Sequence, residues 1–148
     1  MANSKEKIAE FVRNNIPGQR DPDAIPRMSR MIYVDRSITN IDIKDSTYDD
    51  RTALHYQAHN GTTGSVAWLL MQDPPPDVNV LSSFQYTPLM EAALSGIDSE
   101  GKVRLLLDHG ADRDLKDRNG RTALDIARDK PKPAVIDMLE NYRPDVSR

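Results

Sequence analysis

A short segment that recurs at a fixed spacing constrains this chain more than any other feature. The segment "RTALH" at residues 51–55 returns as "YTPLM" at 86–90 and as "RTALD" at 121–125, so that Thr52, Thr87 and Thr122 are spaced by 35 and 35 residues. Self-similarity at such a period is typical of repeat proteins, in which each unit packs only against its neighbours. The sequence therefore predicts a stack of similar units.

Each unit has the pattern of two helices. A threonine before an apolar segment predicts an N-cap, because its hydroxyl can accept a bond from an unpaired amide of the first turn. Pro88 follows Thr87 at the first helical position, where a missing N–H is tolerated. Gly110 stands where a left-handed helix end is expected. Three leucines are predicted to point into the stack: Leu54, Leu89 and Leu124. Four alanines are small enough for two helices to pack closely: Ala58, Ala92, Ala93 and Ala127. The second apolar segments align when Val66, Val103 and Ile136 are made equivalent.

These segments resemble the ankyrin repeat, with its T-P-L-H-x-A-A-x-x-G helix, its V-x-L-L-L helix and its G-A-D-V-N link. The resemblance spans about residues 38–143 and implies an all-α ankyrin-repeat solenoid of about four helix-turn-helix units, the first degenerate. The ankyrin-repeat domain is expected at residues 38–148, with units at about 47–81, 82–116 and 117–143. The usual period of such repeats is about 33 residues, which is shorter than the observed spacing of 35. We therefore place the extra residues in loops: "IDSE" in the second unit and "DPPPDVN" after the first.

The chain departs from the ankyrin pattern at particular positions. Asp50 and Gln85 stand where the turn glycine is expected, and Pro131 replaces the glycine that ends the helix. Residues 1–37 contain two segments with helical patterns. We interpret them as a degenerate N-terminal capping repeat or, alternatively, as a family-specific extension.

Composition excludes several classes of function. The chain has no cysteine, so disulfides and thiolate chemistry are absent, and its formal charge of −3 argues against nucleic acid as a partner. The longest apolar run, residues 66–71, is too short to span a membrane. The N-terminal segment has charged residues where a signal peptide would have an apolar core. We expect a soluble intracellular protein, cytoplasmic or nuclear, that is monomeric on its own.

Two histidines raise the possibility of a metal site. His55 and His59 lie four residues apart on one predicted helix, but the intervening residues supply no base and no third ligand. The resemblance implies that His55 is the motif histidine, whose ring braces the turn by hydrogen bonding. A calcium loop around Gly120 is rejected because its first ligand would be Leu115, which has no side-chain oxygen. We therefore expect no metal, no cofactor and no enzymatic activity.

The remaining function is partner binding. The resemblance implies a concave face made from turn residues and from the ends of the first helices. The strongest candidates for partner contact are Tyr48, Arg51, His59, Phe84, Tyr86, Leu94, Arg118 and Arg121. Further positions on the same face are Asp49, Ser83, Asn119, Asn60, Ser95, Asp129 and Lys130. Trp68, in contrast, is predicted to be a core residue that stacks between units.

Charge is unevenly distributed along this face. Residues 52–99 contain no Lys or Arg, whereas residues 100–148 contain 11. Aromatic and arginine side chains carry much of the binding energy at interfaces. The sequence predicts a non-enzymatic protein-binding module whose partner has an apolar anchor flanked by acidic residues. The alternative is a regulatory or structural subunit that docks through its N-terminal helical segment.

Overall fold

The computed structural model describes residues 50–71, 75–130 and 132–143, and within these ranges the chain forms six α-helices. In chain order they are α1 (Ala53–Asn60), α2 (Thr63–Leu70), α3 (Pro88–Leu94), α4 (Ser99–Asp108), α5 (Ala123–Asp129) and α6 (Pro133–Asn141). One pair of helices follows each of the three threonines, so the predicted all-α repeat fold is confirmed. The predictions for residues 1–37 and for Pro131 lie outside the described residues.

The helix starts follow the local signals in the sequence. The hydroxyls of Thr52, Thr87 and Thr122 each accept a hydrogen bond from the amide three residues later, which confirms the predicted N-caps. Thr62 caps α2 in the same way, with Ser65 completing a reciprocal pair that was not predicted from the sequence. Such caps contribute about 1 kcal/mol each.

The six helices form two layers. The first helices of the units pack in series as α1, α3 and α5, and the second helices pack in series as α2, α4 and α6. The buried alanines of the first layer permit this close approach, and Ala58, Ala92, Ala93 and Ala127 are all fully buried. Leu54 and Leu89 are buried as predicted, whereas Leu124 is half-buried in the last unit. Trp68 packs against the core but is only partly buried.

The register of the third unit differs from the predicted alignment. Val66 and Val103 are fully buried, but in the third unit the buried residue is Val135, while the predicted equivalent Ile136 is half-buried. The second helix begins 11 residues after the capping threonine in both the first and the third unit, so the difference lies in which residue of α6 faces the core and not in the length of the preceding turn. In the second unit residues 95–98 separate the helices, against residues 61–62 in the first, so the predicted insertion there is confirmed.

The turn before each threonine requires a left-handed backbone. Asp50, Gln85 and Gly120 occupy equivalent positions with φ of 53°, 61° and 77°. Glycine adopts this conformation without strain, whereas other L-residues are disfavoured there, asparagine and aspartate least. The two departures from the ankyrin pattern thus keep the turn conformation at an energetic cost.

Replacing Gln85 with glycine is expected to raise the free energy of unfolding by about 0.5–1 kcal/mol, because relief of backbone strain exceeds the entropy that glycine adds to the unfolded chain. The matched control is Gly120→Ala, which should lower it by about 1 kcal/mol. A Cβ at Gly120 meets nothing within 4 Å, so any loss there reflects the backbone alone. Urea denaturation of both variants tests this, and a destabilised Gln85→Gly protein would contradict it.

Candidate protein-binding surface

The turns and the first-helix layer lie on the same side of the stack. The guanidinium of Arg51, in the turn before α1, is 3.1 Å from the carboxylate of Glu91 on α3. Arg121, in the turn before α5, approaches Asp129 at the far end of that helix. We call this side, made of α1, α3, α5 and the turns at residues 50–52, 82–86 and 117–121, the first-helix face. It is the surface on which the sequence predicts partner contacts.

His55 joins the first unit to the second. Its Nε2 donates to the backbone carbonyl of Tyr86 at 2.8 Å, and its Nδ1 accepts from the amide of Thr52 at 3.1 Å. The ring is fully buried. Because a carbonyl can only accept, this pattern requires the neutral tautomer with the proton on Nε2. Both nitrogens are used within the stack, which agrees with the bracing role and differs from the geometry of a metal ligand.

A buried carboxylate lies at the centre of the first-helix face. The Glu91 side chain is 1% exposed and pairs with Arg51 at 3.1 Å and with Nδ1 of His59 at 2.8 Å. Burial of a carboxyl group is costly unless it is paired, and these two contacts supply its partners. Two predicted contact residues, Arg51 and His59, are therefore committed to an internal network. The network spans α1 and α3.

Arg121 organises the junction between the second and third units. Its Nε donates to the Asp117 carboxylate at 3.1 Å, and its Nη2 donates to the Tyr86 hydroxyl at 3.1 Å. Burial alone would raise the pKa of Asp117, but hydrogen bonds from the amides of Arg121 and Asn119 and from the Arg121 guanidinium hold that pKa below its usual value. The charged turn is thus stable near neutral pH. Tyr86 is half-buried and packs against the core, so it serves the stack directly.

Phe84 and Arg118 form a second contact across this junction. The guanidinium of Arg118 lies over the Phe84 ring, 5.2 Å from its centroid, and Nη2 donates to the carbonyl of Ser83 at 2.7 Å. The Arg118 amide also donates to the Phe84 carbonyl at 3.2 Å. The ring is nevertheless 43% exposed. Packing on a neighbouring turn and exposure to a partner, which are alternatives at the level of sequence, are therefore compatible at Phe84.

The other predicted positions have different degrees of exposure. Leu94 and Asn60 are half-buried, and Asp129, Lys130 and Asn119 are exposed. Ser95 corrects a prediction, because it is 1% exposed and its hydroxyl donates to the carbonyl of His59 at 2.6 Å. It lies beneath the surface because α3 ends there against the end of α1. Tyr48 and Asp49 lie outside the described residues.

Two lysines connect the three units near Ser95. Lys102 is fully buried, and its Nζ donates to the Gly61 carbonyl at 2.9 Å and to the Ser95 hydroxyl at 2.7 Å. Lys132 donates from the third unit to the carbonyls of Ala93 and Ser95. Burial lowers the pKa of Lys102 to about 8, against the attraction of Asp98. Each lysine thereby satisfies carbonyls at the end of a first helix in the preceding unit.

Lys102 was not predicted from the sequence. A usable signal was present, because Lys102 and Val103 fall one helical turn before Leu106 and Leu107 on the same stripe. A serine beside a lysine also has the composition of a nucleophile and its base. Here the serine hydroxyl already donates to a backbone carbonyl and is buried, so among the described residues this pair acts as a structural link.

The architecture agrees with a match to a known protein family. The family model for ankyrin repeats, in three copies, matches residues 54–148. The chain belongs to the ankyrin-repeat family. Ankyrin repeats generally mediate protein–protein interaction, and the family is generally non-enzymatic. The predicted resemblance is confirmed.

Relatives with this repeat differ widely in their own nature. YahD of Escherichia coli, named as an ankyrin repeat protein, is 36% identical over 66 residues, which are 43% of this chain and 33% of YahD. Delta-latroinsectotoxin-Lt1a of Latrodectus tredecimguttatus is 32% identical over 98 residues, 64% of this chain and 8% of the toxin. A Caenorhabditis elegans homolog of transient receptor potential cation channel subfamily A member 1 is 39% identical over 87 residues, 57% of this chain and 7% of the channel.

This chain thus spans a third or less of the length of each of these relatives. They share the repeat, and their names describe different proteins. Among the residues that the structure describes, no helix is long and apolar enough to cross a bilayer.

Proposed function

We propose that this chain is a non-enzymatic protein-binding module, which holds a partner protein on the first-helix face and the adjoining turn tips. This surface corresponds to the concave face of an ankyrin stack. The observation that carries the proposal is Phe84, which is 43% exposed although Arg118 holds it from a neighbouring turn. A large apolar side chain fixed in an exposed position can bind a partner with little further loss of conformational freedom.

The charged networks beneath this surface support the same proposal. Arg51 and Arg121 are fixed by carboxylates, and Tyr86 is fixed by Arg121. These contacts hold the turns in register, so the surface exists before a partner arrives. The alternative, docking through the N-terminal helical segment, concerns residues outside the described part of the chain, and no contact described above favours it.

Replacing Phe84 with alanine is expected to weaken partner binding by about 10-fold to 100-fold, as for a central interface residue. Quantitative affinity capture by the full chain, read by mass spectrometry, measures this as loss of the same proteins from the variant. Tyr86→Ala is a poorer probe, because it also removes the acceptor of Arg121. Thermal unfolding of the Phe84→Ala protein should match that of the parent.

The control is Arg104→Ala, which removes an exposed arginine from α4 in the other helix layer. It should leave capture unchanged. Proteins retained equally by all three chains would show that the first-helix face does not bind them. Proteins lost equally from the Phe84→Ala and Arg104→Ala chains would also show that binding does not depend on the first-helix face.

A further inference from the structure

The three arginines on the turns differ in how their charges are compensated. Arg51 pairs with Glu91 at 3.1 Å, and Arg121 pairs with Asp117 at 3.1 Å and with Asp129 at 3.5 Å. Arg118 has no carboxylate within 4 Å in the part of the chain that the structure describes. Among the described residues, the charge of Arg118 at the tip of the third turn is therefore uncompensated.

Arg118 is nevertheless held in one place. Its Nη2 is bonded to the Ser83 carbonyl, its plane lies near the Phe84 ring, and its amide is bonded to the Phe84 carbonyl. A guanidinium has five N–H donors, and this geometry uses one of them. The remaining donors can bind a carboxylate through two parallel hydrogen bonds, which is the strongest arrangement for this pair.

Phe84 places apolar surface beside this charge. The exposed part of the ring lies within reach of any group that binds Arg118, because the guanidinium is 5.2 Å from the ring centroid. An exposed ring alone would accept any apolar side chain. An exposed ring with an uncompensated, fixed cation next to it also selects for a negative charge at short distance.

We infer that Phe84 and Arg118 together bind a protein segment in which a large apolar side chain stands next to an aspartate or glutamate. This inference rests on the proposed function and specifies the partner's chemistry. The sequence predicts only that the partner carries acidic residues near its apolar anchor. Because Arg51 and Arg121 are paired with internal carboxylates, we assign the binding of the acidic residue to Arg118.

Nucleic acid fits this surface less well. Phosphate backbones require several cations in a row, whereas the neighbouring arginines are neutralised and Asp50 accepts a bond from Ser83 in the same region. The chain as a whole carries a formal charge of −3. An acidic peptide needs only one fixed cation beside its anchor.

The test is selection from a random 12-residue peptide library displayed on phage, with the full chain as bait and the Phe84→Ala chain for subtraction. Peptides that depend on Phe84 should be enriched in Phe, Leu, Trp or Tyr with Asp or Glu directly beside it. Arg118→Gln should weaken the best such peptide at least 10-fold, as measured by fluorescence anisotropy. Higher salt should weaken the parent complex and affect the variant less.

Charge reversal makes the test more specific. With Arg118→Glu as bait, the selected peptides should keep the apolar anchor and carry Lys or Arg beside it. The matched control is Lys116→Glu, which reverses an exposed charge two residues earlier in the same link and should leave the selected sequences unchanged. Both variants must show the parent's circular dichroism and melting temperature.

The outcomes separate this inference from the proposed function. Peptides that depend on Phe84 but carry neutral or basic neighbours would overturn the acidic specificity and leave the protein-binding role intact. Peptides selected independently of Phe84, or no enrichment at all, would count against both. Competition by a 12-nucleotide oligouridylate for the selected peptides would overturn the inference in favour of a phosphate ligand.

Discussion

The Lys102→Ala protein is expected to lose about 2–4 kcal/mol of unfolding free energy at pH 7, one of the two largest effects that we predict for a single substitution. Lys102 is fully buried, so truncation leaves a cavity, and the Gly61 carbonyl and Ser95 hydroxyl lose their donor. Lys102→Met fills most of the space and should lose only about 1 kcal/mol, because removing a buried charge offsets part of the lost hydrogen bonds.

The pH dependence of stability distinguishes the charge of Lys102 from its packing. Burial lowers the pKa of Lys102 to about 8 from an ordinary value of 10.5. Between these two pH values the unfolded chain binds more protons than the folded one, so the parent should gain stability as pH rises. After allowance for solvent screening we expect a gain of about 1–2 kcal/mol.

Lys102→Met should lack this gain, because it has no titrating group at that position. Urea denaturation at pH 7 and pH 9.5 measures the change in unfolding free energy for the parent and for the variant. Subtracting one change from the other cancels the contribution of the other titrating residues. Parallel pH profiles, or a Lys102→Ala protein within 1 kcal/mol of the parent, would show that Lys102 does not link the units.

His55→Ala should lower the unfolding free energy by about 3 kcal/mol. The ring is fully buried, and its two nitrogens connect the start of α1 to the turn of the second unit. Two effects lower the unfolding free energy. The smaller side chain leaves a cavity, and the amide of Thr52 and the carbonyl of Tyr86 each lose a hydrogen-bond partner. In a repeat protein this uncouples neighbouring units, so the transition should also broaden.

His55→Met separates the two contributions. Methionine occupies the equivalent position in the second unit as Met90, which is 1% exposed, so it should fill the space and lose only the hydrogen bonds, about 2 kcal/mol. The control is His59→Ala on the same helix. It should lower the unfolding free energy by only about 1 kcal/mol, because the ion pair between Glu91 and Arg51 remains. A His59 variant less stable than the His55 variant would contradict the assignment of His55 as the link.

Residues that act within one helical turn were predicted well from the sequence. The threonine caps, Pro88 and the left-handed Gly110 depend on contacts between neighbours in the chain, and the structure confirms them. The fully buried alanines were predictable for a related reason, since only small residues allow two helices to approach closely. The 35-residue spacing of the threonines predicted the stacking of units, and the resemblance supplied the family.

The candidate site was predicted less completely. The positions of the turns were predicted, but the pairing of Glu91 with Arg51 and His59 was not, because Glu91 lies far from both residues in the sequence. A glutamate within the otherwise apolar segment "PLMEAAL" was a signal that its side chain pairs with a specific polar or charged group. The burial of Ser95 was also missed, since the longer turn after α3 gives no indication of its direction.

The sequence alone determined the repeat, the helix boundaries set by caps, and the position of the turns, because each of these depends on contacts over a few residues. The tertiary structure decided which charges are neutralised: Arg51 and Arg121 by carboxylates, Arg118 by none among the described residues. It also decided that Lys102 lies inside. The physical reason is that charge compensation and burial depend on how one unit is rotated against the next, and that rotation follows from side-chain packing across the whole junction.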